Sequence, residues 1–368
     1  MDRVEEPPTR FCVFCGERPR SKSREHIIPQ WLIKLTGDPN RQIYVGRAWY
    51  RPTLPMRQFS FSRLVFPACE QCNGRFAELE GRAQSVMKRI LARDVLAAQD
   101  WDLFLDWLDK IRIGLWLGML FLNKNHRGIS PRFFIEGRIG TKDRFVLVYE
   151  IEDDGQEGVI WLGTETPLFE YTPSCFALVV NNFLFLNASF DFLFSRRLGF
   201  PYASRVEVHD GRDLIDLENG TGKIRLPLLQ KAFPPGGTRL WQPIIPWRHL
   251  QADDGSPGDV RGQYDTAFVR SHCLDFDTGK GKIFSDGEKT LSEYPSTPSA
   301  SWIPPQKHAR EYIVHRSALA AGDFLELLFR SRVLAVGPKE HETGFQETGA
   351  STLRLHRTIM NHILRQRQ

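Results

Sequence analysis

The chain has 368 residues, of which 41% are hydrophobic and 25% are charged, so it is long enough for several hydrophobic cores and does not belong to the intrinsically disordered class. Its net charge is only +5, but residues 1–93 hold 17 Lys/Arg and 9 Asp/Glu, so the remaining 275 residues carry a net −3. A basic N-terminal part on a mildly acidic body favours a polyanionic partner for the N-terminal part.

Cysteine usage and hydropathy predict the compartment. Residues 1–8 contain no apolar stretch typical of a secretory signal, and the longest apolar run, Ile113–Leu122, is far shorter than the roughly 20 residues that span a membrane. Six cysteines are too few for a disulfide scaffold of this size, and four of them fall in two close pairs. We therefore expect a cytoplasmic protein without a membrane segment.

The first eighty residues predict short elements in close succession. Alternating or apolar patterns predict strands over 23–28, 42–45 and 59–66, and a helical turn over 30–35. From Asn73 onward the apolar residues recur at helical spacing.

In the rest of the chain the spacing of apolar residues changes twice. Residues 82–122 predict helices in two or three pieces, and the period then becomes two, which predicts strands over 132–140, 144–150, 158–163, 175–180 and 183–186. Residues 211–310 are rich in Gly, Pro, Asp and Ser, and helical periodicity returns at 308–337 and 353–368. The predicted fold class is α+β, with four regions: an N-terminal module over 1–93, a helical connector over 94–130, a strand-rich domain over 131–310 and a helical segment over 311–368.

Two CxxC pairs carry the strongest chemical signal in the sequence. The pairs are Cys12–Cys15 and Cys69–Cys72. Four thiolates in two such turns suit one tetrahedral Zn²⁺, and an all-sulfur site leaves no open position for a substrate. We therefore expect a structural zinc ion that stabilises the fold and closes the intervening loop.

Three residues between and after these pairs add to the pattern. Glu25-His26 lies between the pairs, and Asn73 follows the last cysteine directly. With the two CxxC pairs, residues 11–82 resemble the HNH (ββα-metal) endonucleases, in the subgroup that braces its finger with two CxxC knuckles. The resemblance implies a strand–strand–helix core in which His26 is the catalytic histidine, and Glu25 and Asn73 hold a catalytic divalent ion.

Two features depart from the family pattern. The acid is Glu25, where the family usually has aspartate, and the asparagine that normally orients the histidine from the second strand is not evident near Ser62 or Arg63. A backbone carbonyl is then expected to orient His26.

The resemblance implies the chemistry of phosphodiester hydrolysis. The neutral imidazole of His26 would remove a proton from the attacking water, and Mg²⁺ or Mn²⁺ on Glu25 and Asn73 would neutralise the developing charge. The expected substrate is a nucleic acid, DNA rather than RNA. Basic residues around the strand of His26 and on the following helix are candidate phosphate contacts, namely Arg18, Arg20, Lys22, Arg24 and Arg75.

Two other readings remain open from the sequence. The finger can be a non-catalytic module that grips nucleic acid or protein, with Glu25 and His26 merely structural. Alternatively, the larger C-terminal region is the active part and the finger is an assembly interface. The C-terminal region is also a candidate surface for self-association or a partner protein, and by analogy a small nuclease on a large body suits bacterial antiviral defence.

Overall fold

A computed structural model describes most of the chain. The described residues are 11–19, 23–45, 57–122, 129, 131, 133–190, 195, 202–209, 212–218, 234–244, 260–261, 273–275, 278–286, 291–298, 306–335 and 342–365.

The N-terminal module contains a small antiparallel pair, a separate hairpin and a long helix. Its elements are β1 (Arg24–Glu25), α1 (Gln30–Leu35), β2 (Gln42–Val45), β3 (Arg57–Ser60), a 3₁₀ turn (Phe61–Arg63), β4 (Phe66–Pro67) and α2 (Glu70–Leu91). Strand β1 pairs with β4, β2 pairs with β3, and α2 follows β4 directly. The predicted order of strand, strand and helix around the two CxxC pairs is therefore present, and α1 and β2 have the predicted bounds.

Three predicted strands are different in the structure. The strand predicted over 23–28 is reduced to the two residues of β1. The strand predicted over 59–66 is interrupted by the 3₁₀ turn, because the amide nitrogens of Phe61 and Ser62 donate to the carbonyls of Arg41 and Pro39 instead of to a neighbouring strand. The strand predicted over 132–140 was wrong, since residues 136–140 form turns. There the amides of Ile135 and Glu136 donate to carbonyls of the first CxxC segment, so they cannot join the sheet. Helix α2 also begins three residues earlier than predicted.

Past α2, a long helix leads into a strand-rich part that contains one short helix, and two long helices follow. The helices are α3 (Ala98–Leu122), α4 (Pro167–Tyr171), α5 (Arg310–Ala335) and α6 (Glu342–Arg365). The strands are β5 (Asp143–Ile151), β6 (Val159–Leu162), β7 (Cys175–Val180), β8 (Phe183–Phe190), β9 (Tyr202–His209), β10 (Arg212–Glu218), β11 (Thr238–Gln242), β12 (Val260–Arg261), β13 (Cys273–Asp275), β14 (Lys280–Gly281), β15 (Phe284–Asp286), β16 (Leu291–Glu293) and β17 (Lys307–His308).

The largest sheet has the order β16–β15–β11–β5–β8–β7–β6, and β17 lies parallel to the end of β5. Successive residues of β5 point to opposite faces. On one face Phe145 packs on Phe324 of α5 with ring centroids 5.4 Å apart. On the other face Phe185 of β8 packs on Phe104 of α3 at 5.1 Å. The sheet therefore lies between α3 and α5.

Helix α3 also supports the N-terminal module. Of its 25 residues 18 are buried, so this part of the predicted helical connector lies in the interior. A Cβ atom built at Gly114 would lie 2.7 Å from Ile27, and one at Gly118 would lie 2.8 Å from Phe66. These two glycines let the module approach α3 closely, and one hydrophobic core runs from Phe11 to Phe329 across the four predicted regions. None of the described helices is both long enough and apolar enough to cross a membrane.

Candidate active site

The four cysteines of the CxxC pairs converge as the sequence predicted. Their sulfur atoms all lie within 4.8 Å of one another, and the Sγ atoms of Cys15 and Cys69 are 3.9 Å apart. A tetrahedral zinc ion with Zn–S bonds of about 2.3 Å requires sulfurs about 3.8 Å apart. The cluster could therefore bind one zinc ion.

Local backbone geometry builds this cluster. The Gly16 amide donates to the Cys12 carbonyl at 2.9 Å, and Gly16 has a φ of +81°, a conformation in which a side chain would be strained. The amide of Cys69 donates to Cys12 Sγ at 3.2 Å, so the second pair is aligned on the first. Phe14, between the first two cysteines, stacks on Phe76 of α2 with centroids 4.5 Å apart. The knuckle is thus packed against the helix that carries Cys72.

Electrostatics in the cluster favour a bound cation. Burial works to raise the pKa of Cys12, but amide donors, the Cys15 amide first, lower it overall. Burial, followed by the neighbouring sulfurs, raises the pKa of Cys69 to about 11 and that of Cys72 to about 12. Four neighbouring thiols cannot all ionise without a positive charge between them, whereas a metal ion holds its cysteines as thiolates.

His26 lies at the end of β1 and is half-buried. Its Nε2 atom is 2.9 Å from the Ser62 carbonyl oxygen. Gln30 Nε2 lies 3.4 Å from the same atom, so the shorter contact to the carbonyl decides the tautomer. Because a carbonyl only accepts hydrogen bonds, we infer that Nε2 carries the proton and that Nδ1 is the basic nitrogen of the neutral ring. The orienting group is therefore a backbone carbonyl, as the missing asparagine led us to expect.

Asn73 lies in the first turn of α2 and is tied to β1. Its Nδ2 donates to Ser23 Oγ and to the Arg24 carbonyl, each at 3.2 Å. The helix start is thus held beside the strand that carries Glu25 and His26. With Nδ2 engaged in this way, Oδ1 is the carboxamide atom suited to a cation or to a water molecule.

Glu25 lies on β1, but its carboxylate is bound by a lysine of the interior. Its side chain is buried with an exposure of 7%, and Oε1 is 2.5 Å from Nζ of Lys110 in α3. The same ammonium contacts Glu80 of α2, whose other oxygen accepts from Trp31 Nε1 at 2.7 Å. Burial raises the pKa of Glu25 and outweighs the ammonium of Lys110, which acts to lower that pKa. Glu25 shares this ammonium with Glu80. Glu25 and Asn73 therefore have separate partners, Lys110 for the carboxylate and β1 for the carboxamide nitrogen.

Sequence reasoning missed Lys110 and Glu80 as neighbours of Glu25. Lys110 interrupts the apolar residues of α3, and burying a charge requires a partner of opposite sign. That signal could have indicated a buried ion pair, although not which carboxylate supplies it.

The predicted phosphate contacts divide into three groups. Arg20 and Lys22 lie outside the described residues. Arg18 and Arg75 line an open groove of about 1070 Å³ beside the cysteines, but Arg75 pairs with Glu136 at 2.7 Å and Glu17 and Glu70 also line the groove. Arg24 is exposed on β1, two residues before His26.

No protein-family model, no curated protein and no solved structure matches this chain.

Proposed function

We propose that this protein is an endonuclease that hydrolyses phosphodiester bonds of nucleic acid, with His26 as the general base. The contact between His26 and the Ser62 carbonyl carries the proposal. It supports the neutral tautomer in which Nδ1 accepts a proton, and the half-buried ring retains access to solvent.

The proton balance of the step is simple. Nδ1 of His26 takes a proton from a water molecule, and the water oxygen forms a bond to phosphorus. The bond from phosphorus to the 3′-oxygen breaks, and the leaving oxygen takes a proton from solvent. The Ser62 carbonyl keeps the ring oriented and stabilises the imidazolium that forms, because it accepts from Nε2 throughout.

The catalytic divalent ion that the family resemblance implies does not fit the described donor set. Mg²⁺ and Mn²⁺ prefer oxygen ligands in open, hydrated sites, whereas the Glu25 carboxylate is buried on an ammonium. We therefore assign no step to Mg²⁺ or Mn²⁺. We assign to the four cysteines a structural zinc ion, which would hold the first knuckle on α2 and so fix the strand of His26 against Asn73.

One observation favours a second candidate function. The Lys110–Glu25 pair gives Glu25 a structural role, as expected for a zinc-braced module that binds nucleic acid without cutting it. The two candidates differ in the consequence of losing His26.

A nicking assay on supercoiled plasmid separates these candidates. Wild-type protein is compared with His26→Ala and Asn73→Ala, each with Mg²⁺, with Mn²⁺ and without added divalent metal. The nuclease proposal expects nicking by the wild type and at least a hundredfold loss in His26→Ala, at the low end of what a general base contributes. His315→Ala, on α5, is the matched control and should cut normally. If His26→Ala cuts like the wild type, His26 is not the general base and the proposal fails. If the wild type cuts neither the plasmid nor a labelled RNA, the non-catalytic binding module stands.

A further inference from the structure

The segment that ends at the second CxxC pair has an extreme charge bias. Residues 39–69 contain no aspartate or glutamate, although these make up 44 of the 368 residues of the chain. The same segment contains five arginines, at positions 41, 47, 51, 57 and 63. A segment of this composition complements a polyanion.

Strands β2 and β3 form a two-stranded ribbon within this segment. Ile43 pairs with Phe59 in register, and both are half-buried, with Ile43 packed on the hydrophobic core. Tyr44 pairs with Gln58 on the opposite face, and Tyr44 is 61% exposed. Because faces alternate along a strand, exposed Gln42 shares this outer face. The outer face therefore presents one aromatic ring and two carboxamides.

The ribbon begins and ends beside His26. The amides of Phe61 and Ser62 close the ribbon on Arg41 and Pro39, each at 3.0 Å, and the Ser62 carbonyl holds His26 at 2.9 Å. One 3₁₀ turn thus anchors both the ribbon and the imidazole. The base of the ribbon is therefore fixed to the same turn as His26.

Two exposed arginines flank the same point. Arg63 follows Ser62, and Arg24 lies two residues before His26. Neither guanidinium pairs with a carboxylate among the residues that the structure describes. They are therefore available to phosphate groups, unlike Arg75, which is bound to Glu136.

We propose that the β2–β3 ribbon binds duplex DNA, with its outer face in the major groove and with Arg24 and Arg63 on the phosphates nearest His26. This proposal rests on the proposed function, because the ribbon would serve to deliver one DNA strand to His26. The major groove of B-form DNA admits a two-stranded ribbon, and its base edges suit glutamine side chains and the packing of an apolar ring on thymine methyl groups. Double-stranded RNA is a poorer fit, because its major groove is too narrow for side chains to read.

Binding is measured by fluorescence anisotropy on a labelled DNA duplex, with His26→Ala in every protein so that cleavage does not interfere. Adding Tyr44→Ala and Gln58→Ala together should weaken binding about tenfold or more. A variant with Tyr44→Phe in place of Tyr44→Ala keeps the aromatic ring. It should retain most of the affinity that Tyr44→Ala removes. The plot of log binding constant against log salt concentration has a negative slope. Adding Arg63→Ala should make this slope less steep by about one. The matched control is Tyr312→Ala, which removes an exposed tyrosine of α5 and should change nothing.

The possible results test the ribbon proposal separately from the nuclease proposal. Equal affinity of the parent and the Tyr44/Gln58 variant, or tighter binding of double-stranded RNA than of DNA, overturns the ribbon proposal even if the wild type cleaves. Loss of affinity in the ribbon variants supports it even if His26 proves unnecessary for cleavage, which would overturn only the proposed function. Zinc content and circular dichroism of each variant identify a loss of binding that comes from misfolding. If the Tyr44/Gln58 variant is misfolded, the affinity of the Tyr44→Phe variant decides whether the ribbon binds DNA.

Discussion

The ammonium of Lys110 lies 2.5 Å from the carboxylate of Glu25 and joins the central helix α3 to strand β1. Glu80 of α2 contacts the same ammonium, so three elements meet at one buried charge. A single ammonium between two carboxylates leaves a net negative charge in the interior, which is costly unless every partner stays in place. The cluster therefore couples the position of β1, and hence of His26, to α2 and α3.

Removing Lys110 should destabilise the protein strongly. Lys110→Met leaves the buried Glu25 and the half-buried Glu80 without a cation, and we expect a loss of about 3–5 kcal/mol in the free energy of unfolding. The triple variant Lys110→Met/Glu25→Gln/Glu80→Gln removes the charges together and should recover part of that loss. Urea denaturation measures both. If the triple variant is no more stable than Lys110→Met, then Lys110 does not stabilise the protein by neutralising these two carboxylates.

The four-cysteine cluster should bind one zinc ion per chain. Cys72→Ser should lower the zinc content measured by mass spectrometry and the midpoint of thermal unfolding, because metal binding to a folded site contributes to folding free energy. Cys175→Ser is the matched control, since Cys175 is buried in β7 away from the cluster. Wild-type protein that purifies and refolds without zinc, at undiminished stability, would contradict a structural metal.

The contact between α3 and the N-terminal module should not tolerate a side chain at Gly114. Gly114→Ala places a methyl group against Ile27, and overpacking of this kind costs about 1–3 kcal/mol. Gly81→Ala makes the same change on α2, where a Cβ atom would meet nothing within 4 Å, and should stabilise by about 0.5–1 kcal/mol. Comparison of their unfolding midpoints tests the packing, and equal effects of the two substitutions would argue against it.

Stability should fall in mild acid because of His356. This side chain is fully buried, and its Nε2 atom lies 3.0 Å from the Gly322 carbonyl of α5. Burial, the largest effect, lowers the pKa of His356, with Arg357 acting in the same sense and Gly322 and Glu326 opposing. The folded state therefore disfavours the imidazolium, so this contribution to stability is present above about pH 6.5 and is lost as the pH falls below it.

Thermal unfolding at a series of pH values measures this effect, with His356→Gln as the comparison. The variant should lose the part of the pH dependence that lies just below pH 6.5. An unchanged profile would place the acid sensitivity elsewhere.

The part of the site that sequence could predict is the part encoded by short spacing. Each CxxC pair places two sulfurs on one tight turn, and Asn73 follows the last cysteine by one residue, so both features were visible before the fold was known. The partner of Glu25 was not, because Lys110 is 85 residues away and long-range pairing leaves no local period. The group that orients His26 was predicted only by type, since the Ser62 backbone carbonyl has no side-chain signature.

The fold shows the same division. The strands over 175–180 and 42–45 and the turn of helix over 30–35 have the predicted bounds, because their patterns follow directly from burial on one or both faces. Residues 132–140 carry a similar alternation, yet their amides bind the first knuckle and the chain turns. A backbone hydrogen bond to a distant segment outweighed the local pattern there.

Chemical rescue at position 26 tests the central claim most directly. His26→Gly removes the imidazole and leaves a gap beside the Ser62 carbonyl, and cleavage is measured under single-turnover conditions with increasing free imidazole. The account predicts little cleavage without imidazole and a rate that rises with the concentration of neutral imidazole, while His315→Gly neither loses activity nor responds. Full cleavage by His26→Gly in the absence of imidazole would contradict the role of His26 as the general base.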